Sequence, residues 1–452
     1  MKNFWLNSVI PIAALFAFRM LGLFMLIPVF TVYAKDLVGA NATLIGVALG
    51  AYGLSQGILQ MPFGFLSDRI GRKPVITLGL ILFAVGSLMG AFTHSIYGMI
   101  IARILQGMGA IGSVLIALLA DLTPDTHRTK SMAVIGSTIG LSFSLAMVIS
   151  PTLTQHGGLS SLFYLTAILA GMGLILLHAV IPTPKRQPFH LDTEATPKLF
   201  KSVLSNPHLL RLNVGIFFQH LVLTSTFYAA PLILQQQIHD GQLNEPWHFY
   251  LPIMIIAFLG MVPFIILAEK RQKIKSVFIT SVVITLLSQF FLAFTFTHWA
   301  ALYCFMLIYF LAFNILEALL PSLVSKQANA QTKGTAMGIY SSSQFLGIFI
   351  GGCSAGVIYQ YGNLSLIFIM NGICTAFWCL ASIALKPNVY QVTLVIDYSN
   401  PKNNTIELID NLKALRGVQQ VVHSQEESVL YLLINKALYL PGSAEIAINN
   451  FH

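Results

Sequence analysis

Hydrophobic residues in this chain form long uninterrupted runs that are separated by short polar segments. Twelve of these runs contain about 20 residues or more, the length that a helix needs to cross a bilayer. We number them spans 1 to 12, and they cover residues 8–34, 43–66, 74–93, 96–120, 131–153, 160–182, 209–234, 247–268, 276–297, 299–324, 334–358 and 363–385. The pattern predicts an all-α membrane protein with twelve transmembrane helices.

The first and last six spans repeat each other at a nearly constant offset. Three pieces recur: Leu66–Arg69 as Leu267–Lys270, Lys130–Ala133 as Lys333–Ala336, and Pro28 as Pro231. A parallel duplication of this kind places a substrate site between the halves, near the bilayer midplane. We therefore expect a six-helix bundle over 1–184, a cytoplasmic linker over 185–208 and a second six-helix bundle over 209–387.

Two segments outside the spans have patterns of their own. In the linker, Pro197–Leu204 predicts a helix at the membrane interface, because its apolar residues fall on one face. Residues 388–452 show strand-like and helical stretches in the order βαββα. This order predicts a small cytoplasmic ferredoxin-like α+β domain without its last strand.

No metal or other cofactor is expected. The C-terminal domain resembles heavy-metal-associated domains, which carry two cysteines in the loop after the first strand. Here that loop, 397–404, contains no thiol and no cysteine follows Cys379, so a soft-metal site is disfavoured. All four cysteines lie in apolar spans, where packing explains them.

Composition and charge also place the chain in lipid. Hydrophobic residues make up 56% of the sequence and charged residues only 9%. Of the 25 Lys and Arg, 18 fall on one side under alternate spanning and only Lys35 falls on the other, which is the positive-inside pattern and not a nucleic-acid footprint. Both termini are then cytoplasmic. The long apolar run after Lys2 lacks a cleavage site, so an uncleaved first helix is expected.

The loop between spans 2 and 3 carries an unusual set of charges and glycines. It reads Gly64-Phe-Leu-Ser-Asp68-Arg69-Ile-Gly71-Arg72-Lys73. We expect Gly64 to allow close helix approach, Gly71 to permit the reversal, and Asp68 to accept from a helix N-terminus. Arg69, Arg72 and Lys73 would anchor the loop at the cytoplasmic face.

At every fixed position, this loop resembles the motif between the second and third helices of major facilitator superfamily transporters. Much of the chain, including its C-terminal extension, is similar to the YajR-type branch of proton-driven drug exporters. The resemblance implies a bacterial inner-membrane protein that works by alternating access. It also implies that Asp121, at the end of span 4, joins Asp68 and Arg72 in a cluster that latches the first half against span 11 in the outward-open state.

Span 4 carries a second resemblance to the superfamily. Arg103-Ile-Leu-Gln106-Gly107-Met-Gly109 is similar to the fourth-helix motif, whose arginine is associated with proton coupling. The small residues predict close packing and the glutamine a polar contact. Span 5 differs from the usual antiporter motif, because Pro151 is present but the neighbouring glycines are not.

Among the ionisable residues, Arg19, Arg103, His220 and Glu317 lie well inside the spans and away from their ends. Each costs roughly 2.5 to 3.5 kcal/mol at the centre of a bilayer unless it has a partner or a function. Glu317 is the only carboxylate placed well within a span, and it suits a proton site or a structural ion pair. His220 suits proton handling or a neutral hydrogen bond, and Arg19 suits an anionic substrate group or a carboxylate partner.

The leading hypothesis is proton-coupled export of small amphipathic or hydrophobic compounds by a monomer in the bilayer. The alternatives are symport or uniport of a polar or anionic metabolite, and a membrane sensor or scaffold acting through the C-terminal domain, whose own ligand the sequence does not name. The sequence contains neither a phosphate-binding Gly-x-x-x-x-Gly-Lys loop nor a nucleophile–base pair, so it predicts no enzyme.

Overall fold

The computed structural model describes residues 5–123, 125–183, 200–271, 273–328, 332–385, 391–397, 405–424, 429–435 and 438–451. After a π-helical turn at Trp5–Val9, the helices of the first half are α1 Ile10–Phe24, α2 Phe30–Tyr33, α3 Ala42–Ile70, α4 Arg72–Phe92, α5 Ile96–Met108, α6 Gly112–Asp121 and α7 Asp125–Ala179. Those that follow are α8 Phe200–Leu204, α9 Pro207–His239, α10 Pro246–Lys270, α11 Ile274–Thr295, α12 Trp299–Gln327, α13 Lys333–Tyr361 and α14 Leu364–Ile383.

The helices account for the twelve predicted spans. Within the described residues, ten helical segments are long and apolar enough to cross a membrane when α5 and α6 are counted together as one, and the shorter α1 lies in span 1. One of the ten, in α7, holds both span 5 and span 6. The chain turns between them at Gly158, whose φ is +62°, and Ser161 Oγ donates to Leu153 O at 3.1 Å across the turn. Spans 1 and 4 are interrupted, since α1 and α2 are separate helices and so are α5 and α6.

The two halves repeat the same helix pairings. In the first half, α3 packs on α5, α4 on both α5 and α7, and α1 on α7. In the second half, α10 packs on α12, α11 on both α12 and α14, and α9 on α13. The equivalent pairings are those expected of a duplicated six-helix bundle. Between the halves, the main contacts join α3 to α13 and α7 to α10.

The α3–α13 contact brings two backbones together through glycine. A Cβ added to Gly50 would lie 2.7 Å from Phe349 O and 2.9 Å from Phe349 Cα, and one added to Gly352 would lie 2.7 Å from Gly46 O. These residues lie in the parts of α3 and α13 remote from the loop 64–76. We call the end of the bundle that carries this loop the motif end and the other the opposite end. The halves are thus closed against each other towards the opposite end.

Polar contacts reinforce this closure. Tyr228 OH donates to Ala42 O at 2.9 Å, and Ala42 N–H donates to Gln360 Oε1 at 2.8 Å. Lys35 Nζ donates to Gln235 Oε1 at 3.3 Å beside a cavity of about 520 Å³ that both halves line. Each contact crosses from one half to the other, so the contacts hold the opposite end shut together with the glycines.

The C-terminal residues form the predicted α+β domain. Strands β1 Gln391–Asp397, β2 Val418–Ser424 and β3 Val429–Asn435, with helices α15 Thr405–Ala414 and α16 Ser443–Phe451, follow the order βαββα. The sheet order is β1-β3-β2 and both pairings are antiparallel. Leu408 and Leu412 of α15 pack with Leu430 and Leu432 of β3 in a separate small core.

The linker is described only from Phe200 onwards. There, α8 buries Val203 against the second half and leaves Phe200 38% and Leu204 40% exposed. The remainder of the predicted interfacial helix, 197–199, lies outside the described residues, as does the loop 398–404 of the C-terminal domain.

Replacing Gly50 with valine is expected to open the opposite end, because the side chain would collide with the backbone of Phe349. Spin labels at the exposed positions Val38 and Tyr361, in a background without native cysteines, report the separation of the halves by double electron–electron resonance. We expect a longer-distance population in Gly50→Val. Gly136→Val is the matched control, because a Cβ there meets nothing within 4 Å; equal distance distributions in both variants would contradict the closure mechanism.

Candidate functional site

A charge cluster forms at the motif end around Arg72. Its Nε donates to Asp121 Oδ2 at 2.9 Å and its Nη1 to Ser67 Oγ at 2.7 Å, and Nη1 also pairs with Asp68. The side chain of Arg72 is only 8% exposed and that of Asp121 only 11%. The structure therefore brings the three predicted members together, and all of them come from the first half. Their contact with span 11 stays a prediction.

The loop glycines differ in what they do. Gly71 has φ +98°, a conformation that favours glycine, and it joins α3 to α4 directly as predicted. At Gly64 the expected close helix approach is wrong, because a Cβ there would meet only Ser113 Oγ, at an ordinary 3.8 Å. Lys73 Nζ donates to Ile181 O at 2.6 Å, after the end of α7, while Arg69 is exposed. Lys73 thus ties this loop to the end of span 6.

Arg19 lies deep in the first half and is held by neutral groups. Its Nη2 donates to Gln56 Oε1 at 2.6 Å, to Tyr52 OH at 3.1 Å and to Gly109 O at 3.5 Å. Only 2% of Arg19 is exposed, yet its Nε and Nη1 have no hydrogen-bond partner among the described residues. Within that part of the chain, no carboxylate is in ion-pair contact with it. Its charge is therefore not neutralised by a described acidic residue.

Arg103 occupies the same core on the other side of Tyr52. Its Nη1 donates to Gln106 Oε1 at 2.9 Å, its guanidinium carbon lies 5.0 Å from the centre of the Tyr52 ring, and Gln106 Nε2 donates onward to Ser87 Oγ at 2.9 Å. Glycine permits this packing, since a Cβ at Gly107 would collide with Tyr52 and one at Gly109 would lie 2.5 Å from Gly79 O. The close packing and the glutamine contact predicted for span 4 are both present.

Glu317 and His220 meet in the second half. His220 Nε2 lies 3.9 Å from Glu317 Oε2, and Gln219 Nε2 donates to the same oxygen at 3.4 Å. Gln344 of α13 contacts His220 Nε2 at 2.8 Å. The Glu317 side chain is 37% exposed, whereas that of His220 is only 6% exposed. No Lys or Arg among the described residues forms an ion pair with Glu317.

The structure thus divides the predicted intramembrane charges into two groups. Arg19 and Arg103 lie together in the first half, and His220 and Glu317 lie together in the second half. Asn371 is fully buried between α9, α11 and α14, where its amide donates to Gln289 Oε1 at 2.9 Å.

Sequence reasoning missed Tyr52. Its signal was present, because Tyr52, Gln56 and Gln60 follow each other at intervals of four residues and so share one face of α3. It also missed Gln219 and Gln344, which lie in apolar spans and are recognisable only once α9 and α13 are packed. The polar lining of the site is therefore larger than its charged residues suggest.

Comparisons with known proteins agree with this architecture. The sequence matches the Major Facilitator Superfamily over residues 12–352. It is 41% identical over 428 residues to the inner membrane transport protein YajR of Escherichia coli K12, covering 94% of this chain and 93% of that protein. It is 26% identical to the quinolone resistance protein NorA of Staphylococcus aureus, covering 79% and 91% respectively.

The fold comparison extends to solved structures. The nucleoside transporter NupG superposes with a TM-score of 0.68 at 14% identity, covering 83% of this chain and 99% of that chain. Such low identity establishes the shared fold and nothing about substrate. The shared fold and the family match over most of the spans together define the protein as a membrane transporter. The chain belongs to the Major Facilitator Superfamily.

Replacing Asp121 with asparagine is expected to destabilise the protein by about 1 to 3 kcal/mol, because the change removes a negative charge that pairs with the nearly buried Arg72. Glu269→Gln is the control, since the Lys326–Glu269 pair is 3.7 Å apart and Glu269 is 58% exposed. We expect that control to change the free energy of unfolding by about 0.5 kcal/mol or less. Chemical denaturation in detergent, followed by tryptophan fluorescence, compares the two; equal losses of stability would contradict a structural role for the cluster.

Proposed function

We propose that this transporter exports small amphipathic or hydrophobic compounds in exchange for protons, by alternating access. The observation that carries the proposal is the position of Glu317, a carboxylate in the middle of the second half with a partly exposed side chain. An ionised carboxylate is costly in a bilayer, and burial favours its neutral form. A group that is accessible in one conformation and enclosed in another can therefore pick up and release a proton.

The neighbours of Glu317 suit that role. Gln219 donates to the carboxylate without contributing charge, and His220 lies 3.9 Å away, where it can carry a proton or remain neutral. A permanent ion pair with Lys or Arg would fix the charge of the acid, and the described residues place none there. Glu317 is thus free to change its protonation state as its surroundings change.

The wider architecture supports alternating access. The halves repeat the same helix pairings, and they meet towards the opposite end through glycines that leave no space between α3 and α13. Breaking that contact and closing the motif end would expose the central polar groups to the other side. Alternating access would then require only exchange between two ways of packing the same two halves.

Direction and location rest on charge and on relatives. The positive-inside distribution supports a cytoplasmic motif end and cytoplasmic termini, and the YajR relative is named an inner membrane protein. Export is supported by the resistance protein NorA, whose name refers to quinolones. The opposite end, closed here, would then face away from the cytoplasm.

Glu317→Gln is expected to abolish proton exchange while leaving the fold intact, because the amide keeps the shape of the carboxylate but cannot carry the proton. Proteoliposomes with an acidic lumen and a pH-sensitive dye are challenged with a panel of amphipathic compounds that includes fluorescent quinolones. Wild-type protein should make the lumen more alkaline when its substrate is added, and Glu317→Gln should match protein-free vesicles.

Glu245→Gln is the control, because this carboxylate lies at the start of α10 and accepts from Trp247 Nε1 at 3.0 Å. It should exchange protons as the wild type does. Acidification of the lumen during uptake would show symport, and unchanged exchange by Glu317→Gln would remove this residue from the mechanism.

A further inference from the structure

The break in span 4 places a helix N-terminus inside the first half. Helix α5 ends at Met108 and α6 begins at Gly112, with non-helical backbone between them. Leu115 N–H is the first to bond back along α6, to Ile111 O at 2.9 Å. The N–H groups of Gly112, Ser113 and Val114 have no backbone acceptor among the described residues. A helix end of this kind carries partial positive charge and binds anions.

Side-chain donors converge on the same point. A Cβ added to Gly112 would lie 3.3 Å from Gln60 Nε2, 3.4 Å from Arg19 Nη1 and 3.9 Å from Gln56 Nε2. All three atoms are nitrogens that carry hydrogen. Residue 112 is glycine, so the three donors lie around the position that the Cβ atom of any other residue would occupy.

The hydrogen bonds around Arg19 orient these donors. Arg19 Nη2 donates to Gln56 Oε1 at 2.6 Å, and Gln56 Nε2 donates to Gln60 Oε1 at 3.1 Å. Both amide oxygens are thereby occupied, and the chain of bonds ends at Gln60 Nε2, a donor. Among the described residues, Arg19 Nη1 and Nε have no hydrogen-bond partner although the residue is 98% buried. Converging donors beside a buried positive charge favour a negatively charged acceptor.

We propose that the acidic group of the transported compound binds here, between Arg19, Gln56, Gln60 and the N-terminus of α6. This inference rests on the proposed transport function and names its substrate class: apolar compounds that carry a single carboxylate or sulfonate. One guanidinium and one helix end match a monoanion better than a doubly charged phosphate. The uncharged part of the compound would extend towards the second half, which contributes Phe345 against Tyr52 with ring centres 6.3 Å apart.

The experiment compares an anion with its neutral isostere. Full-length protein in lipid nanodiscs is equilibrated by dialysis at pH 7.5 with radiolabelled 2-naphthoate or 2-naphthamide, which differ chiefly in charge. We expect the wild type to bind the carboxylate about tenfold more tightly than the amide, as one charge-assisted hydrogen bond would give. Arg19→Gln should abolish the preference, and Gly112→Ala should reduce it because the added methyl group would lie 3.3 Å from Gln60 Nε2 and 3.4 Å from Arg19 Nη1 and crowd the acceptor that these donors would share. Lys35→Gln, a cation removed at the opposite end, should retain it.

The outcomes separate this inference from the proposed function. Equal binding of naphthoate and naphthamide by the wild type would overturn the anion site even if Glu317→Gln abolishes proton exchange. Displacement of naphthoate by chloride at equal concentration would overturn the assignment of the site to an organic acid. A preference that survives in Glu317→Gln supports the site, and it does so even if exchange also survives and the coupling proposal fails. If Arg19→Gln is not monodisperse, Gly112→Ala decides the question, because it leaves every charge in place; an unchanged preference in Gly112→Ala would then count against the site.

Discussion

The cost of placing charge in a bilayer organises the interior of this transporter. An ionised side chain there needs a partner of opposite charge, or access to water, or a ligand. Arg72 meets the requirement with Asp68 and Asp121 at the motif end. Within the described chain, Arg19 is held by neutral groups only, and Glu317 has no Lys or Arg partner although its side chain is 37% exposed. A transport role can therefore be proposed for these two residues.

The separation of these two residues has a mechanistic meaning. Arg19 belongs to the first half and Glu317 to the second, so the groups proposed to bind an anion and a proton lie on different halves, which alternating access would move relative to each other. Coupling in such an arrangement does not require the two groups to touch. It requires only that the conformation exposing one site also changes the surroundings of the other.

Helix α13 connects the closure to both sites. Its glycines pack against α3 on one side and against α9 on the other, where a Cβ at Gly351 would lie 2.9 Å from Leu221 Cα. Tyr52 of α3, which contacts Arg19, lies between Gly50 and Gly53, and both glycines meet the backbone of α13. Gln344 of α13 contacts His220. Close-packed backbones shift as units rather than deform. Repacking of α13 would therefore displace the side chains that contact Arg19 and His220.

Local sequence was sufficient for much of the architecture. Run lengths predicted the spans, the repeated pieces predicted the duplicated halves, and the order of strand and helix patterns predicted the C-terminal fold. The cluster of Asp68, Arg72 and Asp121 followed from a motif. Local pattern failed at Gly64, because a glycine in a helix does not reveal whether another backbone lies opposite.

Packing of the helices supplied the neighbours of the buried polar groups. Hydropathy and run length are properties of the chain alone, and they predicted that Arg19 and Glu317 lie within the bilayer. Only packing of α1, α3 and α6 showed that Arg19 has no carboxylate partner among the described residues and lies beside the helix N-terminus at Gly112. The physical reason is that partners of a buried charge come from residues distant in sequence, such as Gln56 and Gln60, and their distances exist only after the helices have assembled.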